Sequence, residues 1–538
     1  MLEMNAKTLE NKKGWEEKGM ILPAFNYREM VEETTKSPIW IHFGAGNIFR
    51  GFIAQLQQEL LNQNITNKGI IAAETFDYEI IDKIYAPYDN LTMLVRLNAD
   101  GRMDKEIIAS IADSVKGDMS SEAEKKKLKD IFKNPSLQMV SLTITEKGYA
   151  IQNAKGEFMP VVLQDFEAGP VKPKHTMSIL TSLMYERYLV GKAPLAVVSM
   201  DNCSHNGEKL HNAVLTIAKE WIKNGFVEEA FLNYLEDENK ISCPWTMIDK
   251  ITPRPSEVVE RELTGMGVQN MAPVITTKNT FIAPFVNAEV PQYLVIEDNF
   301  PNGRPALEKA GVYFTDRETV NKTETMKVTT CLNPLHTALA VYGCLLGYTS
   351  ISEEMKDTQL KLLVEKIGYQ EGMPVVVNPQ IIKPEDFIKE VIEERLPNPY
   401  IPDTPQRIAT DTSQKVAIRF GETIKSYVAS DDLQVENLTF IPLVIAGWFR
   451  YTLGIDDNLR AMKVSSDPMF DDIQECLKDI KIGDRSSYKG QLVQFLSNDN
   501  IFGLDLMEIG LGNKIQDMFL ELISGENAVR QTLKKYLP

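Results

Sequence analysis

Cysteine, histidine and positive charge are all scarce: the 538 residues include five cysteines, five histidines and 58 Lys+Arg against 75 Asp+Glu. Cys203, Cys243, Cys331, Cys344 and Cys476 are scattered, odd in number and without CxxC spacing. They supply neither a disulfide framework nor a thiolate zinc site, and they fit a reducing cytoplasm. No compact metal-ligand cluster is visible, so no metal is expected. The formal net charge of −17 argues against a broad phosphate-binding surface, so neither nucleic acid nor anionic membrane is an expected partner. A small acidic molecule is still admissible, because local charge decides its binding. No apolar run approaches the roughly 18 residues of a bilayer span. The most apolar stretch, Thr337 to Tyr348, reads as a buried helix, and the opening MLEMNAKTLENKKGW lacks the apolar core of a signal peptide.

What is present is the balance of a soluble globular protein, 43% hydrophobic and 25% charged, and a length too great for one core. Two large domains are expected. The first strong strand is Pro38 to Phe43, which runs into Gly44-Ala45-Gly46 and then into Ile48 to Leu56, a segment of helical periodicity. A second apolar strand follows at Gly69 to Ala73. Strand, glycine turn, helix and strand make a βαβ unit, and such units build parallel sheets. Further buried strands are expected at Met139 to Ile144 and Leu195 to Met200, each ending in polar residues. Ligands of open parallel sheets sit beyond the carboxyl ends of the strands, so these tips are candidate site residues. Residues 91–112 read as a hairpin insertion, and Lys125-Lys126-Lys127 as a solvated helix face. After Gly311 to Phe314 the pattern becomes mostly helical, with a proline-rich interruption at Pro397 to Pro405. The expected organisation is an α/β Rossmann-like domain over 1–316 and a mostly α-helical domain over 317–538.

Gly44 and Gly46 permit a tight turn and close approach of the backbone to a pyrophosphate, which the following helix N-terminus would also attract. Asn47, Phe49 and Arg50 open that helix and join the candidate cofactor contacts, Arg50 as an added cation. Phe49 occupies the place of the usual third glycine, and Gly51 lies two residues on. A lone GxG is weak evidence, and the flanking strands strengthen it. Glu74, at the end of the second strand, is the candidate partner of a ribose 2′-hydroxyl and favours NAD over NADP, with Asp77 as the alternative.

Among the histidines, His336 stands out, in KVTTCLNPLH. Asn333 and His336 are three apart and share a helix face. The segments GAGNIFRGF, SLTITEKGY, SMDNCSHNG, CPWTMIDKITP, IEDNFPNGRPALEKAGV, CLNPLHTAL and RIATDTSQK resemble, in order and spacing, the long-chain mannitol dehydrogenase family. The resemblance covers roughly residues 39 to 460. The family includes the fructuronate (mannonate) and tagaturonate reductases, and SLTITEKGY is most similar to the fructuronate reductase branch. The resemblance implies a nucleotide-binding N-terminal domain, a helical C-terminal domain with the active site in the cleft between them, and metal-free catalysis by a lysine acid/base and two asparagines. Matched motif by motif, the asparagines are Asn202 and Asn333, and His336 is the substrate-binding histidine. Asp249 is the polar residue of MIDKITP, and Arg407 and Lys415 are substrate-contacting cations. Lys147 is a further candidate cation.

One departure is visible. The family's lysine stands five residues before the asparagine, where this chain has Val328; Lys327 is six before. On a regular helix one residue turns a side chain by about 100°. Pro334 lacks the N–H that would bond the Thr330 carbonyl, so the ladder is interrupted there. A π-type bulge would absorb the extra residue; alternatively, Asn333 caps a helix starting at Pro334. Lys327 is therefore the expected proton donor, with Lys147 or His336 as alternatives. The expected activity is reversible, NADH-dependent reduction of a keto-hexuronate, D-fructuronate to D-mannonate. The alternatives are a tagaturonate reductase, a mannitol-type polyol dehydrogenase and a non-catalytic nucleotide- or sugar-binding protein. The expected partner is a small sugar acid or polyol, and the expected state a cytoplasmic monomer or small homo-oligomer.

Overall fold

Strands buried on both faces must be apolar throughout, and the segments with that pattern form the central sheet of the N-terminal unit. In this computed structural model, which describes residues 2–538, the strands are β1 (Trp40–Phe43), β2 (Ile70–Glu74), β3 (Ile111–Lys116), β4 (Met139–Leu142), β5 (Leu195–Ser199) and β6 (Ile241–Ser242). Their order is β3-β2-β1-β4-β5-β6 and every pairing is parallel. This is the doubly wound order of dinucleotide-binding folds, whose topological switch lies between β1 and β4. Alternate residues feed two cores. Ile41, Phe43, Val140 and Leu142 pack under the helices Glu122–Lys133, Thr176–Leu189 and Asn206–Lys223. Trp40, Ala72, Met139 and Val198 face the opposite layer with Phe52, Leu56 and Leu60.

The hairpin expected within 91–112 is there, as Thr92–Leu97 paired antiparallel with Met103–Ile108. Sequence patterning overlooked β3 just beyond it. Ile-Ala-Asp-Ser-Val-Lys is half polar because this is the outermost strand of the sheet, not a strand sealed on both faces. A second sheet joins the hairpin to Met20–Ile21 and Phe285–Glu289, and a third joins Thr246–Asp249, Tyr293–Glu297 and Tyr313–Thr315.

The chain separates into two units, Met1–Asn321 and Lys322–Pro538, with the division inside the helix Arg317–Met326. The second unit is helical. Its centre is α2 (Asn333–Leu346), buried on nearly every side, against α3 (Phe440–Thr452), which in turn packs on α4 (Leu511–Leu522); α1 denotes Ala54–Asn62 of the first unit. Gly447 allows the close crossing: a Cβ there would lie 2.7 Å from the Tyr342 ring, whose hydroxyl donates to the Leu443 carbonyl at 2.6 Å. Among the described residues no helix is long and apolar enough to cross a membrane.

Candidate active site

The turn after β1 is built for close backbone approach. Gly44 has φ +104°, and a Cβ there would lie 2.1 Å from the Thr143 carbonyl oxygen, so only glycine fits. Gly46 is different: a Cβ there would meet nothing within 4 Å, so its backbone faces open space. The helix that follows starts at Asn47, widens into a π turn over Phe49–Ile53, and continues as α1. The close approach of this helix to its neighbour falls within that π turn. Gly51, not residue 49, is where the helix closes on its neighbour, since a Cβ at Gly51 would lie 2.7 Å from Val286 Cγ1.

Two side chains expected at the cofactor are instead interior. Phe49 is 0% exposed and stacks on His42 at 4.2 Å between ring centres. Arg50 is also 0% exposed; it donates to the Ala283 carbonyl at 2.8 Å and to Asn47 Oδ1 at 2.9 Å. Its guanidinium braces the loop and is not an added cation for a phosphate, and burial holds its pKa down to about 10. Only the backbone of Phe49 and Arg50 remains for the role first assigned to them. Asn47 is half-buried, its amide donating to the Pro253 carbonyl at 3.3 Å. Glu74 is buried at the end of β2, and its carboxylate accepts the N–H groups of Ala45 (2.9 Å), Phe76 (2.7 Å) and Asp77 (3.1 Å). It thus pins the glycine turn to the β2 tip, while burial raises its pKa. Asp77 is buried too and accepts from Thr276 Oγ1 at 2.6 Å. His42, between Ser141 Oγ (2.6 Å) and Thr143 Oγ1 (2.8 Å), is held neutral by burial, its pKa pushed down to about 3.

Lys147 and Asn202 follow two strand ends and Asp249 closes a third strand, and the polar side chains of Asp201 and Asn206 tie these segments together. Lys147 is exposed on the helical turn Thr145–Tyr149 after β4, and Asn202 is exposed just after β5. Asp201 joins these loops by accepting the N–H groups of Ile144 (2.8 Å) and Thr145 (3.0 Å) and the Tyr149 hydroxyl (2.7 Å). Asn206 joins the β5 loop to the strand Thr246–Asp249, donating to the Asp201 carbonyl at 3.0 Å and to Thr246 Oγ1 at 2.9 Å. Asp249, buried, ends that strand. Sequence reasoning overlooked Asp201 and Asn206 as positioning groups; the signal available was an acid beside Asn202 at a strand tip.

In the second unit, Lys327 is 2% exposed and begins a π turn, Lys327–Cys331, closed by the Leu332 N–H donating to the Lys327 carbonyl at 3.1 Å. A π turn holds one residue more than an α turn. The six-residue spacing of Lys327 and Asn333 therefore corresponds in phase to five on a regular helix. Helix α2 restarts at Asn333 with Pro334 in its first turn, where a missing N–H costs nothing. Thr423 Oγ1 donates to the Thr329 carbonyl at 3.3 Å, and Gly372 leaves room for Thr330, which a Cβ would approach to 2.8 Å.

His336 lies one turn into α2, with its Nε2 4.0 Å from Asp403 Oδ2. Desolvation is the main cause holding its pKa down to about 4; Asp403 opposes it, while Arg395, Arg419 and Arg407 add to it. The ring is neutral near pH 7, with one donor and one acceptor nitrogen. Arg407 is largely exposed and pairs with Asp403. Lys415 donates to the Thr410 carbonyl, and burial, then Arg419, lower its pKa. The structure thus gathers His336, Arg407 and Lys415 with two cations that no motif had marked, Arg395 and Arg419. Among the described residues, no group of three or more His, Cys, Asp or Glu could hold a metal.

Comparison with known proteins accounts for both units. The mannitol dehydrogenase Rossmann domain model matches residues 38–309, and the mannitol dehydrogenase C-terminal domain model matches residues 319–522. The chain belongs to the mannitol dehydrogenase family. A relative in that family, the D-mannonate oxidoreductase of Thermotoga maritima, is 52% identical over 536 residues, 99% of each chain. The mannitol 2-dehydrogenase of Pyrenophora tritici-repentis is 30% identical over 87% of this chain and 76% of that protein. Among solved structures of the mannitol dehydrogenase family, the mannitol 2-dehydrogenase of Pseudomonas fluorescens, in ternary complex with NAD and D-mannitol, aligns with TM-score 0.70 at 26% identity, over 100% of this chain and 99% of that chain. A D-sorbitol dehydrogenase aligns with TM-score 0.79 at 24% identity, which speaks for the fold.

Proposed function

We propose that the chain is an NAD-dependent oxidoreductase that interconverts D-fructuronate and D-mannonate. The observation that carries this is the 52% identity, across 99% of both chains, to a D-mannonate oxidoreductase. The cations around His336 suit a substrate bearing a carboxylate, through charge-assisted hydrogen bonds. A neutral polyol would not need them, so a mannitol-type activity is the weaker alternative.

The first unit fits a dinucleotide. Its sheet order, the positive φ of Gly44, the open space at Gly46 and the helix that begins at Asn47 form a cradle for a pyrophosphate. When bound, NADH supplies the hydride for the carbonyl carbon. The chain's own task is then to manage charge on the carbonyl oxygen. The amides of Asn202 and Asn333 donate to that oxygen as negative charge grows on it. The Lys327 ammonium delivers the proton and, in the reverse direction, its amine removes it. Neutral His336 hydrogen-bonds substrate hydroxyls, and Asp249, Lys147, Arg407 and Lys415 fix the remaining groups.

The test is NADH oxidation followed with D-fructuronate, D-tagaturonate and D-fructose under one set of conditions. D-fructuronate is expected to give the highest kcat/KM. A preference for D-fructose would transfer the assignment to a polyol dehydrogenase, and tight NADH binding with no turnover of any of the three would make the chain a binding protein.

A further inference from the structure

Arg419 is a largely buried guanidinium to which the structure gives no anion. It lies on the π turn Ala417–Gly421, and its N–H donates to the Lys415 carbonyl at 2.9 Å. Its side chain makes one described hydrogen bond, from Nη1 to Thr337 Oγ1 at 2.6 Å, and no ion pair among the described residues. Thr337 follows His336 on α2, and the Arg419 charge lies near enough to that histidine to help lower its pKa. Burial alone holds the Arg419 pKa down to about 10.

Two other deeply buried arginines, Arg187 and Arg450, show how the fold can occupy a guanidinium, whereas buried Arg50 makes two bonds and leaves its Nε sealed without a partner. Arg187 makes five hydrogen bonds to main-chain carbonyls. Arg450 makes three, to Leu522, Ile455 and Asp456. A guanidinium carries five N–H donors, so Arg419 retains donors that the fold does not use. None of its nitrogens is among the sealed, unpartnered polar atoms, so they remain reachable. The nearby cations differ in this respect. Arg407 has Asp403, and Lys415 has Thr410 together with the fields of Asp411 and Asp467.

We propose that Arg419 is the anchor of the substrate carboxylate, taking its two oxygens in the paired geometry a guanidinium offers, and so selects a sugar acid over a neutral ketose. This rests on the keto-hexuronate assignment above. It adds a specificity-determining residue that lies outside the matched motif RIATDTSQK. The planar fork matters as well as the charge, since lysine matches a carboxylate only as a point charge.

The experiment compares kcat/KM for D-fructuronate with that for D-fructose in the wild-type enzyme, Arg419→Met and Arg419→Lys, with thermal midpoint and NADH affinity as controls for folding. The fructuronate-to-fructose ratio is expected to fall by about 100-fold in Arg419→Met and by about tenfold in Arg419→Lys, in proportion to the charge-assisted bonds lost. Should the methionine variant not fold, the lysine variant carries the same comparison. A ratio within threefold of wild type, with fructuronate still reduced by the unmodified enzyme, would overturn the anchor and leave the reaction assignment standing. A wild-type enzyme that does not reduce D-fructuronate would take down both.

Discussion

Exchanging two adjacent residues, Lys327→Val with Val328→Lys, tests the register on which the proton-donor assignment depends. The exchange leaves composition and net charge unchanged. It places the lysine five before Asn333, the spacing of the matched family motif, yet in this fold it should abolish the function of that lysine. The π turn, closed from Leu332 N–H to the Lys327 carbonyl, holds one residue more than a regular turn. Moving the ammonium one position along this wider turn rotates it by roughly 80° about the axis; on a helix about 12 Å across with its side chains, this displaces it by roughly 8 Å. General acid catalysis is worth about 10²- to 10⁴-fold, so kcat should fall by that factor, equivalent to about 3–5 kcal/mol in barrier height. Valine at 327 enters a position only 2% exposed and lysine at 328 a half-buried one, so the fold should tolerate the exchange. Single-turnover oxidation of bound NADH by D-fructuronate reads the chemical step directly, with NADH affinity as the control. Deleting Val328 is the companion: it shortens the π turn to a regular one and should retain far more activity than the exchange. If the exchanged variant turns over within threefold of wild type, Lys327 is not the proton donor and the π turn has no catalytic meaning.

Two further outcomes follow from buried carboxyl groups. Glu74→Ala removes the acceptor for the Ala45, Phe76 and Asp77 N–H groups, so the Kd for NADH should rise tenfold or more, together with a lower thermal midpoint, because buried charge-assisted bonds are lost; fluorescence titration showing an unchanged NADH Kd would mean that the glycine turn does not need this brace. Glu354 is 0% exposed, neither of its oxygens has a partner, and burial pushes its pKa from an ordinary 4.5 up to about 9. The folded chain therefore holds this proton more tightly than the unfolded one, so the stabilisation is complete below about pH 4.5 and declines as pH rises to about 9, costing about 3 kcal/mol by pH 7. Glu354→Met should flatten that decline in denaturant midpoints measured from pH 5 to 9, and parallel pH profiles for variant and wild type would refute the assignment.

The strands of the parallel sheet were legible because burial on both faces leaves little choice but a continuous apolar run, as in Ile70-Ile71-Ala72-Ala73 and Leu195 to Ser199. β3 was not legible, because as the outermost strand it admits Asp113, Ser114 and Lys116. The positions of Gly44 and Gly46 followed from the strand-to-helix turn, but the directions of the neighbouring side chains did not. Phe49 and Arg50 occupy the first turns of a helix whose π turn rotates them into the core, and no periodicity computed for a 3.6-residue helix anticipates that rotation. Arg419 was invisible for a different reason: only the structure reveals a guanidinium whose one described side-chain bond is to a hydroxyl and which has no ion pair among the described residues.

The π turns connect these observations. Such turns close from an N–H to the carbonyl five residues back, as Ala54 does to Phe49, Leu332 to Lys327, Leu396 to Val391 and Glu422 to Ala417. They are rare and are concentrated at functional sites, since each puts one extra residue into a ladder that would otherwise be regular. Among the described residues there are six; four carry Arg50 with Gly51, Lys327, Arg395 and Arg419, while the other two, Ile81–Tyr85 and Lys366–Gly372, carry none of the candidate site residues. An inserted residue re-aims every side chain on its turn without moving the flanking helices, whose packing stays fixed by their apolar faces. A single-residue insertion is then a cheap way to present a cation at a new angle while the scaffold is kept. It also makes residue spacing an unsafe guide to matched roles in this chain: Lys327 and Asn333 are displaced from the family spacing by one, and a π turn of one extra residue lies between them.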